Sequence, residues 1–384
     1  MRKKFFGYYK PTQQEFTKIW REAIFVFDTS VLLNIYRYTP KTREDFFKIL
    51  EQLKSRIWIP HQVALEYHEQ RENVISQQNS IYDDIEGTLS YLQKNVINKY
   101  KKGHPFADTS KIRDIFEEAV IKAKDVLHAA QSEHPDLLTE DIHLDRLTRL
   151  LKDDQIGDEF PKERVHNIYA EGEKRYKEKI PPGYADKNDK DGLNKYGDLL
   201  LWYQLLEHAK SQNKPIIFIT DDEKEDWWRI NKEGKILGPK PELIQEMYDK
   251  SKVTFYMYLA DEFIKRAQEF LNVEVEQSTI DEVRELRQRE TQYSAALYAL
   301  KLLNSSSKEQ NQLAWLQFVN AYRHRPLPFI NEALKSDRGY DFVIRDPQNP
   351  DIIYSIELKR LQSGKEETDQ EKHIENADEN ETDQ

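Results

Sequence analysis

The chain has 384 residues, 38% hydrophobic and 33% charged, with 17 Phe, 21 Tyr and 6 Trp. That is enough apolar and aromatic material for two or three domains and at least one large core, and it excludes overall disorder. The absence of cysteine excludes disulfides, zinc–thiolate sites and thiol nucleophiles. The net charge of −11 argues against a protein that grips nucleic acid by charge alone.

The opening stretch "MRKKFFGYYKPTQQEF" is basic but carries no apolar run of signal-peptide length. No run anywhere approaches the ~20 residues of a membrane span. A cytoplasmic protein without a membrane partner is expected. "AIFVF" (23–27) reads as a short buried strand ending at Asp28, and "SVLLNIYRY" after it has helical spacing. Residues 41–53 repeat the helical pattern, and "RIWIP" (56–60) reads as a second strand closed by proline. A long helix is expected from about His61 toward Lys101.

Residues 105–180 are polar and mostly helical in pattern, broken at "EHPD" and "EFPKE". "PPGYADKNDKDGLNKYGD" (181–198) is a loop, "LLLWYQLLEHAK" (199–210) an amphipathic helix, and "KPIIFIT" (214–220) a fully buried strand. A helix at 241–250, a strand "VTFYMY" (253–258) and a helix at 259–271 continue a strand–helix alternation that implies a mainly parallel sheet. Beyond it lie a charged helix (280–304), further helix to about 336, and a hairpin in "GYDFVIRDPQNPDIIYSIELKRL" (339–361). Residues 363–384 carry nine acids against two lysines, so most of the excess charge belongs to this tail, which is expected to be disordered.

In a parallel sheet, functional groups gather outside the carboxyl ends of the strands. Four acidic positions fall there: Asp28 ends the first strand, Glu66 lies in the first turns of the helix after "RIWIP", Asp198 starts the helix after the loop, and Asp221 and Asp222 end "IIFIT". Singly, each has an ordinary explanation. Asp28 and Asp198 suit helix caps, the Asp pair suits a turn, and Glu66 suits a helix surface. Together they form a carboxylate cluster that needs neutralising, and the hard cations Mg²⁺ and Mn²⁺ do this with oxygen ligands.

The stretches "FVFDTSVLLNIYRY", "IWIPHQVALEYHEQR", "PPGYADKNDKDGLNKYGDLLLW", "FITDDEKEDWW" and "GPKPELIQEM", in this order, resemble the PIN-like nucleases, specifically the large bacterial PIN-like domain proteins. The resemblance covers about residues 23–270. It implies an α/β fold, a PIN-like parallel sheet flanked by helices. It also implies an acidic site that binds Mg²⁺ or Mn²⁺, two ions in the expected mechanism, and cleaves RNA or structured DNA. Carried over by position, Asp28, Glu66, Asp198 and the Asp221/Asp222 pair would be the metal-binding acids, with Asp222 favoured over Asp221 and Asp226 assisting. Ser30 stands where asparagine is common in the family, and its hydroxyl can still donate to a carboxylate. Phosphate contacts are expected from Arg71, Lys187, Lys190, Lys195, Lys224 and Arg229. Trp202, Trp227 and Trp228 could stack on bases, but core packing is the plainer expectation for Trp202 and for at least one of the pair.

The expected organisation is a core in two parts (1–74 and 181–275), a long helical insertion (75–180), a small, mostly helical C-terminal domain ending in a β-hairpin (276–362), and the acidic tail (363–384). In the hairpin, Asp341 followed by Glu357 and Lys359 resembles the metal-binding pattern of the restriction-endonuclease-like core. That fold needs another helix and strand, so a recognition or oligomerisation domain is the simpler expectation. The function expected from the whole is a Mg²⁺- or Mn²⁺-dependent endonuclease with a nucleic acid substrate, RNA ahead of DNA, in one version a toxin-like effector of phage defence. A catalytically silent nucleic-acid or partner-binding module is the alternative. A regulatory protein partner or a second copy of the chain stays open.

Overall fold

The computed structural model describes residues 1–2, 5–97, 109–185, 193–303, 342–345 and 353–356. Two compact units divide the chain, Met1–Thr291 and Gln292–Gln384. The first carries α1 (Gln13–Glu22), β1 (Ile24–Phe27), α2 (Thr29–Leu33), α3 (Pro40–Leu53), α4 (His61–Tyr91), α5 (Thr109–Glu133), α6 (Ile142–Leu150), α7 (Lys162–Lys177), α8 (Gly197–Gln212) and β2 (Ile216–Ile219). It continues with β3 (Trp228–Ile230), β4 (Ile236–Pro239), α9 (Pro241–Ser251), β5 (Phe255–Tyr258) and α10 (Ala260–Leu271). Helix α11 (Gln277–Leu303) begins in this unit, and the second unit holds the antiparallel hairpin β6 (Phe342–Arg345) and β7 (Ile353–Ile356).

The architecture is α/β and mostly helical. Strands β1, β2 and β5 form a parallel sheet with β2 in the centre. Their residues are apolar and almost all buried on both faces, as a sheet covered by helices on each side requires. Trp20 of α1 stacks on Phe263 and Phe270 of α10 at 5.9 and 4.9 Å, and Phe27 meets Phe46 of α3 edge-on. The buried aromatics among these contribute roughly 1.5–3 kcal/mol each. The register pairs Phe27 with Ile219 and Ile219 with Tyr258, so all three strands end level. That level edge places Asp28, Thr220 and the start of α10 side by side.

The expected second strand is reduced to single bridges, Ile57 beside Phe25 and Ile59 beside Ile156. Gln155 supplies the reason: its side-chain amide donates to the carbonyls of Lys54 and Ile57, replacing ladder bonds, and Pro60 has no N–H to extend the pairing. Elements α1, β3 and β4 were not expected from the sequence. The long helix starts at His61 as expected, behind a Pro60 that provides no side-chain cap. Gln204 of α8 instead accepts from the Gln62 N–H at 3.0 Å. This cap ties α4, which carries Glu66, to α8, which carries Asp198.

Helices α4 and α5 form an antiparallel pair, with Tyr82 bonded to His134 and Lys124 to Ser90. Arg175 of α7 grips Glu246 of α9 through two 2.8 Å bonds, while Trp202 of α8 donates to the same carboxylate at 2.9 Å. The expected helix from 304 to about 336, the acidic tail, and Asp341, Glu357 and Lys359 lie outside the described residues. Among the described residues no helix is long and apolar enough to cross a membrane.

Candidate functional site

Asp28 is the N-cap of α2. Its Oδ1 accepts from the Thr29 N–H at 2.8 Å, and its Oδ2 accepts from the hydroxyls of Ser30 at 3.0 Å and Thr220 at 2.6 Å. Three donors from two strand ends therefore hold one carboxylate. Thr29 also donates its hydroxyl to Glu66 Oε2 at 3.1 Å, so the first and second acids share one residue. Gln62, one turn before Glu66, donates to Oε1 at 2.7 Å.

Gly197 opens α8 directly against that carboxylate: a Cβ there would stand 2.9 Å from Glu66 Oε1. The next residue is Asp198, whose Oδ2 accepts from Trp227 Nε1 at 3.4 Å. Gly183, in the loop before α8, has φ +89 and lies so close that its Cβ would come 3.2 Å from the Asp198 Cβ. Both the backbone sign and the space demand glycine there.

The Asp pair divides. Asp221 Oδ2 accepts from Asn34 Nδ2 at 3.0 Å, and its Oδ1 accepts from the Ala260 N–H at 3.1 Å, at the start of α10. Arg287 Nε stands 3.8 Å from the same Oδ1. Asp222 accepts from the Lys224 N–H and Nζ, both at 2.9 Å, and its own N–H donates to Thr220 Oγ1 at 3.1 Å. The Asp222 side chain is 20% exposed against 6% for Asp221. Asp222 is thus the more open of the two, and Asp221 is spent on fixing α2 and α10.

Electrostatics show that these acids sense one another. Burial, followed by the neighbouring charges of Glu66 and Asp222, pushes Asp28 up to about 6 against the hydrogen bonds of Thr220 and Ser30. Burial likewise pushes Asp221 up to about 6, against the Ala260 N–H and Arg287. Burial disfavours the ionised form of both carboxyls, and a cation placed beside them would favour it.

Among the described residues no three Asp, Glu or His side chains already stand close enough together to cage a cation. The donor set nevertheless fits a hard divalent ion. It is all carboxylate oxygen, it lies at one sheet edge, and it keeps Asp28 under-compensated. Asp28, Glu66, Asp198 and Asp222 are the residues that would hold Mg²⁺ or Mn²⁺.

Other expected residues are occupied elsewhere. Asp226 is fully buried, and its Oδ2 accepts from the N–H groups of Gly183 and Ala185 at 2.8 and 3.0 Å, so it shapes the loop before Asp198. Arg71 donates to Asp141, the N-cap of α6, at 2.8 Å. Lys195 lies 5.0 Å over the Tyr196 ring, and Arg229 donates to the Tyr8 carbonyl at 3.3 Å. Lys187 and Lys190 lie outside the described residues. Trp202, Trp227 and Trp228 are all buried, and Trp228 Nε1 donates to the Asp222 carbonyl at 2.5 Å. They act as packing anchors for the acid loop, with no ring face left for a base.

Sequence reasoning missed Thr29, Asn34, Gln62, Thr220 and Arg287. Asn34 carries a faint signal, one helical turn beyond Ser30, and Thr220 sits directly before the Asp pair. Arg287 carries none, because nothing in a charged helix marks which arginine turns inward.

A family model described as "PIN like domain" matches residues 24–243. No curated protein and no solved structure matches the chain.

Proposed function

The chain belongs to the PIN-like domain family, whose members are generally nucleases, and from that premise we propose a divalent-metal-dependent endonuclease acting on RNA ahead of DNA. The observation that carries the reading is the sharing of Thr29 between Asp28 and Glu66, with Asp198 and Asp222 bordering them through Gly197 and Thr220. When bound, Mg²⁺ or Mn²⁺ would acidify a water and offset the charge that builds up on phosphoryl oxygens.

The chain's own residues supply the positioning. Thr29, Ser30 and Thr220 hold the Asp28 carboxylate at a set angle, and Gln62 does the same for Glu66. The Trp228–Asp222 bond and the buried Trp227 keep the acid loop from swinging outward. Lys224, paired with Asp222 at 2.9 Å, is a cation at the Asp222 corner and suits a backbone phosphate beside the scissile bond. Hydrolysis would leave a 3′-hydroxyl and a 5′-phosphate. A toxin-like effector of phage defence would use this same activity.

The test is cleavage of RNA and of DNA with Mn²⁺ by wild type, Asp28→Asn and Asp198→Asn. Loss of at least about 100-fold in both variants is expected. Equal activity in all three proteins would sink the assigned site. That no three acids among the described residues already stand close enough to cage a cation favours one second reading, a silent binding module, which would show tight nucleic-acid binding without cleavage under any metal.

A further inference from the structure

Arg287 lies on α11, in a charged stretch with no acid-site pattern. Its side chain is nevertheless buried, and it faces three carboxylates. Nη1 meets Glu223, Nη2 reaches Asp261 Oδ1 at 3.1 Å, and Nε lies 3.8 Å from Asp221 Oδ1. Arg284, one turn earlier, donates to the other oxygen of Asp261 at 2.8 Å. A second route leaves the same face of α11. Glu290 pairs with Arg37 Nε at 3.6 Å, Arg37 Nη1 donates to Asn34 Oδ1 at 3.2 Å, and Asn34 donates to Asp221 Oδ2. Helix α11 therefore reaches both oxygens of Asp221, one directly and one through two side chains.

The acids of this edge fall into two groups. Asp221, Glu223 and Asp261 surround a guanidinium, while Asp28, Glu66, Asp198 and Asp222 lie on the other flank. A guanidinium is charged at every accessible pH and forks toward carboxylates in a fixed geometry. Being part of the chain, it cannot be exchanged for a solvent cation. We propose that Arg287 is a built-in counter-ion on the Asp221 flank of the site, so that the protein takes one divalent ion, on the Asp28–Glu66 flank, where the sequence led us to expect two. This inference rests on the metal-dependent reading above. It makes Arg287 a positioning residue: it touches no substrate and acts by keeping Asp221 and its neighbours from recruiting a cation.

The test counts ions rather than turnover. Mn²⁺ is titrated into the metal-free full chain, with unbound Mn²⁺ followed by electron paramagnetic resonance and Tm recorded at each step. Wild type should bind one ion tightly. Arg287→Met should bind one more and show a larger rise in Tm with Mn²⁺. The double variant Asp221→Asn/Arg287→Met should return toward the wild-type count, because the carboxylate that called for the counter-ion has lost its charge. Equal counts and equal Tm shifts in wild type and Arg287→Met would overturn the proposal, as would two ions in wild type. If Arg287→Met fails to fold, rescue by Asp221→Asn or by added Mn²⁺ supports the proposal, and failure of both overturns it. Wild type binding no ion at all would sink the metal-dependent reading itself, whereas one ion with no change in the variant sinks only the role of Arg287.

Discussion

The Thr220 hydroxyl donates to Asp28 Oδ2 at 2.6 Å and accepts the Asp222 N–H at 3.1 Å, so a single side chain on β2's end couples two acids from different strands. Thr220→Val keeps the shape and removes both bonds. Because the hydrogen bond lowers the Asp28 pKa, its loss should raise that pKa further and leave Asp28 harder to ionise. Mn²⁺ affinity is expected to fall about 10–100-fold, the usual cost of losing a bond that orients a ligand. Calorimetric titration checks this, and an unchanged affinity would remove Thr220 from the site.

Gly197 tests the other corner. Its added Cβ would crowd the tip of Glu66 at 2.9 Å and touch Gln62 Nε2 at an ordinary 3.6 Å, and the Glu66 tip can swing away. Alanine in the first turn of a helix costs the fold nothing and favours α8 by up to about 1 kcal/mol. Gly197→Ala should therefore unfold at or above the wild-type temperature while losing roughly tenfold or more in Mn²⁺ affinity and cleavage. A destabilised but fully active variant would show that Glu66 does not need this position.

The sheet and its acidic edge were legible because both rest on local signals. Three apolar runs end in Asp28, in Thr220-Asp221 and in Leu259, and at the first two the residue types announce a cap or a turn. What stayed hidden depends on distant partners. Arg287 reaches the acid edge from a helix whose surface pattern reads as solvated, and residues 277–291 belong to the first compact unit. The β3–β4 hairpin is masked by the charge between Trp228 and Pro239. "RIWIP" has the composition of a strand, yet only two of its residues make a bridge, since the choice between a ladder and side-chain bonding was made by Gln155.

Arg71 separates packing from substrate contact. It donates to Asp141, which also accepts from Tyr36 at 2.8 Å and caps α6. Removing it leaves Asp141 with one partner fewer in a half-buried network, a cost of about 2–4 kcal/mol. Arg71→Ala should thus lower Tm clearly while, below that Tm, KM for nucleic acid stays within about twofold of wild type. A large rise in KM with an unchanged Tm would restore the phosphate-binding role expected from sequence.

The Asp28 carboxyl also predicts how pH governs the site. Its folded pKa of about 6 lies above the ordinary 3.8, because burial and then the charges of Glu66 and Asp222 disfavour ionisation. The folded state therefore holds a proton that the unfolded state releases between those values. Its contribution to stability is fully present below pH 3.8 and is lost as pH rises through about 6. Without metal, Asp28→Asn should be more stable than wild type at pH 7.5, by on the order of 1–3 kcal/mol, and the gap should close on acidification through that window. His143 and His208, both held near 4 chiefly by burial, shift the other way: folding favours their neutral forms, and that stability is lost as pH falls below 6.5. They act equally in both proteins, so the difference between variants isolates Asp28. With Mn²⁺ present the order should reverse at pH 7.5, because the ion replaces the proton on Asp28 and has no such purchase on the amide, and Mn²⁺ affinity of wild type should drop about tenfold per pH unit below 6. Denaturant titrations at pH 4, 6 and 7.5, each with EDTA and with Mn²⁺, measure every arm. A gap that does not depend on pH would mean that Asp28 is ionised throughout and that the acidic edge is already compensated by the protein alone.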